Sequence, residues 1–163
     1  MDAYKAIIGK RDRREYDGRP ISEESTHRIL QAGRMSGTSS NSQLMRLIVL
    51  NDRAALEALV PAGRGTAPML KAPLAIAIVG KEGFSGFDIG RIAQNMMVAA
   101  WAEGIASVPQ GVQDQAIARP ALGLPDDYSV VMCLAFGYEA NPDAPRESRP
   151  RVPFEAMVHW GRW

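Results

Sequence analysis

The chain has 163 residues, enough for one domain over 1–163 that buries roughly 70% of its unfolded surface. Nineteen basic against eighteen acidic residues leave a net charge of +1, so no global field recruits nucleic acid or an anionic membrane and any anion binding has to be local. A single cysteine excludes a disulfide framework, and two isolated histidines, His27 and His159, offer no zinc-ligand spacing.

The N-terminus lacks the apolar stretch of a signal peptide, and no apolar run approaches the roughly 18 residues of a membrane span. A cytoplasmic location is expected.

Tyr4, Ile7 and Ile8 fall at helical spacing over 3–9, which predicts a short first helix ending in the basic cluster Lys10-Arg11-Asp12-Arg13-Arg14. Gly18-Arg19-Pro20 breaks the chain. Ser22 reads as the N-cap of a second helix, with Glu23 and Glu24 in its first turn and Gly37 past its end. Leu47–Leu50 predicts a strand, and Asn51-Asp52 caps a short helix through Leu56, Leu59 and Val60. Leu74–Val79, an unbroken apolar run between Pro73 and Gly80, predicts a strand buried on both faces.

Phe87–Glu103 is the strongest helical pattern, with Asp88 as a candidate cap and Gly104 as the C-terminal stop. Its apolar face spans Ile89, Ile92, Ala93, Met96, Met97, Ala100 and Trp101. That is too broad for a helix with three solvated sides, so it belongs centrally or at a subunit interface. Ile105–Val108 predicts a strand, Pro109-Gln110-Gly111 a turn, Asp114–Ala121 a helix and Tyr128–Phe136 a buried strand. Cys133 lies within that last strand and reads as an inert buried thiol. Alternating helices and buried strands argue for an α/β or α+β sandwich around one sheet.

Four segments carry candidate chemistry. The basic cluster puts four positive charges in five positions, and Arg11 and Arg14, three apart, would share a helical face suited to a phosphate. Gly37 to Gln43 supplies hydroxyls and amides; Asn41 and Gln43 alternate along an extended segment and could pair with the edge of a pyrimidine-like ring. Gln110-Gly111 lets backbone approach a flat ring closely. Arg149-Pro150-Arg151 forms a rigid arm able to reach a second phosphate contact. Taken singly, each segment reads equally as a surface patch, a polar loop or a turn. No G-x-G-x-x-G, P-loop, G-x-S-x-G or H-E-x-x-H is present, and no catalytic acid, base or nucleophile stands out. A borrowed, phosphorylated, ring-bearing cofactor is then the natural source of chemistry.

In order and spacing, six segments resemble the FMN-dependent nitroreductase family. They are Lys10–Tyr16, Gly37–Gln43, Asp88-Ile89-Gly90 with Gln94-Asn95-Met96, Val108–Gly111, Phe136-Gly137-Tyr138 and Arg151–Glu155. The resemblance implies an α+β fold with a central mixed sheet flanked by helices, and a long central helix at a homodimer interface. It implies FMN, its phosphate and ribityl chain surrounded by Lys10, Arg11, Asp12 and Arg14, with Arg149 and Arg151 returning to the phosphate. Thr38, Ser39 and Asn41, joined by Gln43, would approach from the other subunit, and Gln110 and Gly111 would face the ring near N5. Hydride would pass from NAD(P)H to the flavin and on to a nitroaromatic or quinone-type acceptor, in ping-pong order. Asp12, Gly37 and Leu44-Met45 depart from the family pattern. The short stretch between Val79 and Asp88 predicts an open, shallow pocket. The alternative is a protein that binds or processes flavin without turning over NAD(P)H. An RNA-binding role for the basic cluster is the third reading, disfavoured by the near-neutral charge.

Overall fold

Every side chain from Leu74 to Val79 is buried, although successive residues of a strand point to opposite faces. The strand is therefore covered twice, and the architecture follows from what covers it. The computed structural model describes residues 2–143 and 150–163. Its elements in chain order are α1 (Ala3–Gly9), α2 (Glu23–Arg34), β1 (Met45–Val49), α3 (Arg53–Leu59), β2 (Leu74–Lys81), α4 (Gly86–Ala102), β3 (Ala106–Gly111), α5 (Gln115–Ala121), β4 (Tyr128–Gly137) and α6 (Phe154–Met157).

The strands form one sheet in the order β1-β2-β4-β3, and all three neighbouring pairs are antiparallel. The mixed character expected of the sheet is confined, among the described residues, to one parallel bridge between Asp12 and Ser107. On one face Ala75, Ala77, Val79, Cys133 and Ala135 pack with Leu56 and Leu59 of α3 and Ala118 of α5. On the other, Ile76, Ile78, Leu134 and Phe136 pack with Ile29 of α2 and the apolar side of α4. This is the α+β sandwich expected from the alternation of elements.

The width of α4's apolar face is used by the sheet below it and α2 beside it. Gly33 permits that approach: a Cβ there would lie 2.7 Å from Met96 Sδ and 3.2 Å from Leu47 Cδ1. Ser22 caps α2 as expected, accepting from the Ser25 N–H at 3.1 Å. Gly104, at φ +77°, closes α4 by donating to the Trp101 carbonyl.

Three local expectations are corrected. Asp88 does not cap α4: Ser85 holds that position without a side-chain bond, and Asp88 sits inside the first turn, 1% exposed. The basic cluster is not helical. Lys10 leaves α1 in extended geometry (φ −56°, ψ 132°), and Arg13 donates its N–H to the Ser107 carbonyl at 3.0 Å, which lays the segment along β3. Arg11 and Arg14 thus fall on opposite sides of an extended stretch rather than on one helical face. Pro109-Gln110-Gly111 is no turn but the second half of β3. Pro109 is tolerated because β3 is an edge strand.

Candidate cofactor site

Lys10, Arg11 and Asp12 meet Gln94 and Arg151 around a cleft of about 550 Å³, with Ile7 and Ile8 of α1 among its walls. Three cations and one carboxylate leave this cleft with a formal charge of +2, the complement of a phosphate monoester. Lys10 Nζ is already paired with Asp12 Oδ1, so the surplus charge rests on Arg11 and Arg151. Arg11 is held in place from behind: its Nη1 donates to the carbonyls of Ile8 and Lys10, 2.8 Å each, at the C-terminal end of α1. Its Nε and Nη2 remain available among the described residues.

Not every expected cation joins the cleft. Arg13 turns to an ion pair with Glu139, and Arg14 is exposed and does not line the cleft. Arg149 lies outside the described residues. Gln94 was missed from sequence as a site residue. Its one signal was an amide beside Asn95 in the middle of α4.

The free edge of β3 continues from this segment. Peptide groups along a strand alternate in direction, so with the Ser107 carbonyl bonded to Arg13, those of Pro109 and Gly111 face the same outer edge. Gly111's N–H is thereby aimed away from β4. Gln110 points to the opposite sense of the pleat, 4% exposed, and both its Oε1 and Nε2 lack a partner among the described residues, as does the buried Ser107 hydroxyl. Buried amides are seldom left unpaired.

The polar loop is a turn, not the extended segment expected. Ser39–Asn41 is one 3₁₀ turn, and Ser40, Asn41 and Gln43 all adopt left-handed backbone, with φ of 51°, 54° and 50°. Three non-glycine residues in that region within four positions is costly geometry of the kind that gathers at functional sites. The amides of Asn41 and Gln43 do meet: Gln43 Nε2 donates to Asn41 Oδ1 at 3.1 Å. Thr38 Oγ1 accepts from the Gln43 N–H at 3.2 Å, and Ser39 donates its N–H to Asp88 at 2.9 Å. Thr38 and Gln43 line a different cleft of about 540 Å³, between α2 and β1, with Arg34, Met45 and Arg46. One chain therefore presents the cationic residues and the polar loop in separate clefts.

The fold and site define an α+β sandwich with a cationic cleft beside a free strand edge and a strained polar loop elsewhere. The chain belongs to the nitroreductase family, whose model matches residues 7–82 and 68–138. It is similar to an NADH dehydrogenase of Thermus thermophilus, 25% identical with 98% of this chain and 96% of that protein covered. It is also similar to an NADPH-flavin oxidoreductase of Vibrio harveyi, 25% identical over 97% of this chain and 73% of that one. The fold matches an FMN-dependent nitroreductase of Clostridium difficile with a TM-score of 0.85, 20% identity, and 98% and 99% of the two chains covered.

Proposed function

We propose that this chain is an NAD(P)H-dependent flavin oxidoreductase that holds FMN at the interface of a homodimer. The observation that carries the reading is the +2 cleft of Lys10, Arg11, Asp12 and Arg151 beside a strand edge that offers Gly111's N–H. A phosphate needs the first, and a flat ring with an acceptor nitrogen needs the second. The Gln110 amide, without a partner among the described residues, and the left-handed backbone of the Ser40–Gln43 loop add support. The named relatives support flavin and NADPH as the reactants.

FMN held here would supply the redox chemistry between NAD(P)H and an electron-poor acceptor of nitroaromatic or quinone type. Arg11 and Arg151 hold the phosphate. Lys10 keeps Asp12 neutralised, so that its carboxylate does not repel that phosphate. The outward Gly111 N–H would be available to an acceptor nitrogen of the ring, and no protein acid or base is assigned.

The separation of the two clefts supports the dimer. Thr38, Ser39, Asn41 and Gln43 of one chain serve the ring held by the clamp of the other. Surface composition supports association: Ile7, Ile8 and Phe87 are exposed, and Trp160 and Trp163 are 85% and 99% exposed. Residues 82–85 join β2 directly to α4, and this short connection supports an open, shallow substrate side. We place this single-domain protein in the cytoplasm; no helix among the described residues is long and apolar enough to cross a membrane.

The visible spectrum of the purified protein, followed by anaerobic mixing with NADPH and NADH, tests the reading. A yellow protein that bleaches in a single turnover and regains colour with a quinone is expected. A yellow protein that never bleaches makes it a flavin carrier, and a protein with no affinity for added FMN sinks the proposal.

A further inference from the structure

The loop that carries Asn41 has no core of its own, and its three left-handed residues need an outside constraint. α4 supplies one. Asp88, Arg91 and Asn95 fall at i, i+3 and i+7, so they form a polar stripe along α4 beside its apolar face. Each meets the chain between Ser36 and Ser39. Asn95 Nδ2 donates to Ser36 Oγ at 2.8 Å. The Arg91 guanidinium lies where a side chain at Gly37 would begin, its Nη2 2.4 Å from the position of a Cβ. Asp88 accepts the Ser39 N–H at 2.9 Å through Oδ2 and the Ser39 hydroxyl at 3.4 Å through Oδ1.

The carboxylate is 1% exposed, yet it is well placed for a charge. It sits in the first turn of a 17-residue helix, where the dipole favours an anion, and Arg91 Nη1 stands 4.0 Å away. Residue 39 is the last before the left-handed run at Ser40 and Asn41. Pinning it decides where the turn starts and so where the Asn41 amide ends up.

We propose that Asp88 is a positioning residue: its grip on Ser39 sets the Thr38–Gln43 turn and through it the presentation of Asn41 to the flavin ring. This rests on the FMN reading above. Asp88 touches no ligand itself, and its effect is on the ring rather than on the phosphate.

Two variants cut the contact from opposite sides. Asp88→Ala removes the acceptor. Ser39→Pro removes the donor while leaving α4 intact, and the site accepts proline: residue 39 opens the 3₁₀ turn and Thr38 before it is extended (φ −122°, ψ 153°). Affinity for FMN and for riboflavin, read by flavin fluorescence quenching, and the visible circular dichroism of the bound ring are measured for both. Each variant is expected to weaken both flavins equally, by roughly tenfold, and to change the visible dichroism in the same way as Asn41→Ala. Combining Asp88→Ala with Asn41→Ala is expected to add little, because Asp88 acts through the turn that carries Asn41. Far-ultraviolet dichroism checks folding, and Ser39→Pro carries the test should Asp88→Ala fail to fold. Flavin affinity and ring dichroism unchanged in Ser39→Pro, or losses that add in full to that of Asn41→Ala, would overturn the assignment while the flavin reading stands. A wild-type protein that binds neither flavin overturns both.

Discussion

The N–H of Arg13 donates to the carbonyl of Ser107 at 3.0 Å, and Asp12 forms a parallel bridge to the same residue. This joins the segment after α1 to the outer edge of β3. Tyr16 reinforces it from below, its hydroxyl donating to the Arg13 carbonyl at 2.8 Å; burial raises the Tyr16 pKa well above the ordinary range, so the phenol stays protonated and keeps donating. The basic residues are thus presented from a strand-like ledge rather than from a helix end.

Because the ledge addresses a phosphate, damage to it should discriminate between flavins. Arg11→Ala combined with Arg151→Ala is expected to weaken FMN by at least a hundredfold, since each charge-assisted bond contributes about 1.5–3 kcal/mol. Riboflavin, which lacks the phosphate, should bind the variant about as it binds the wild type. Fluorescence titrations with the two flavins decide it. Equal losses for both would mean that the arginines support the fold or the ring instead.

Gly63 sets the position of the strand edge. A Cβ there would lie 2.4 Å from the Gly111 carbonyl oxygen and 2.6 Å from Thr66 Cγ2, so backbone has to move. Its φ of −142° suits any residue, which leaves space as the constraint. Gly63→Ala should destabilise by about 1–3 kcal/mol, through overpacking. Melting of the apo-protein should then fall by roughly 2–4 °C per kcal/mol. The absorption band of bound flavin should shift as well. Gly86→Ala, which meets nothing within 4 Å, is the neutral control.

Much of this fold could be read from the chain, and the reason is periodicity. The two-sided burial of Leu74–Val79 and the face of α4 are repeats inside one element, visible without knowing any neighbour. The misreadings were of another kind. Asp88 looks like a cap because aspartate at a helix start is favourable whatever it bonds, yet its partner Ser39 is 49 residues away. Lys10–Arg14 continues a helical charge pattern, and only the distant Ser107 pulls it straight. No glycine marks the left-handed positions 40, 41 and 43, so their strain had no local signal. Residue types at the site were legible; their directions were set by tertiary contacts.

Cys133 gives a stability signature in alkali. Burial pushes its thiol up to about 12, from an ordinary 9.0 in the unfolded chain. The raised folded value means that the contribution is complete below pH 9. Between pH 9 and about 12 unfolding releases a proton, and stability falls by roughly 1.4 kcal/mol per pH unit from this group. Urea unfolding at a series of pH values should show that slope in the wild type and a shallower one in Cys133→Ala, with Tyr16 adding to both above pH 10. Identical slopes would mean that the thiol is not the titrating group.

The divided site makes the most discriminating demand. If the clamp of one chain and the loop of the other complete a single ring site, two defective chains can repair each other. Arg11→Ala/Arg151→Ala loses the clamp and keeps the loop; Asn41→Ala keeps the clamp and loses the loop. In a mixed dimer one site combines both lesions and the other combines neither. Random exchange of subunits makes half the dimers mixed, so about a quarter of all sites should recover tight FMN binding in a closed two-fold assembly. Neither variant alone should show that fraction, and it should appear only after unfolding and refolding together or prolonged mixing. A titration of the co-refolded pair that shows no tight component would place clamp and loop in the same chain, or on different ligands, and the interface model of the site would have to be abandoned.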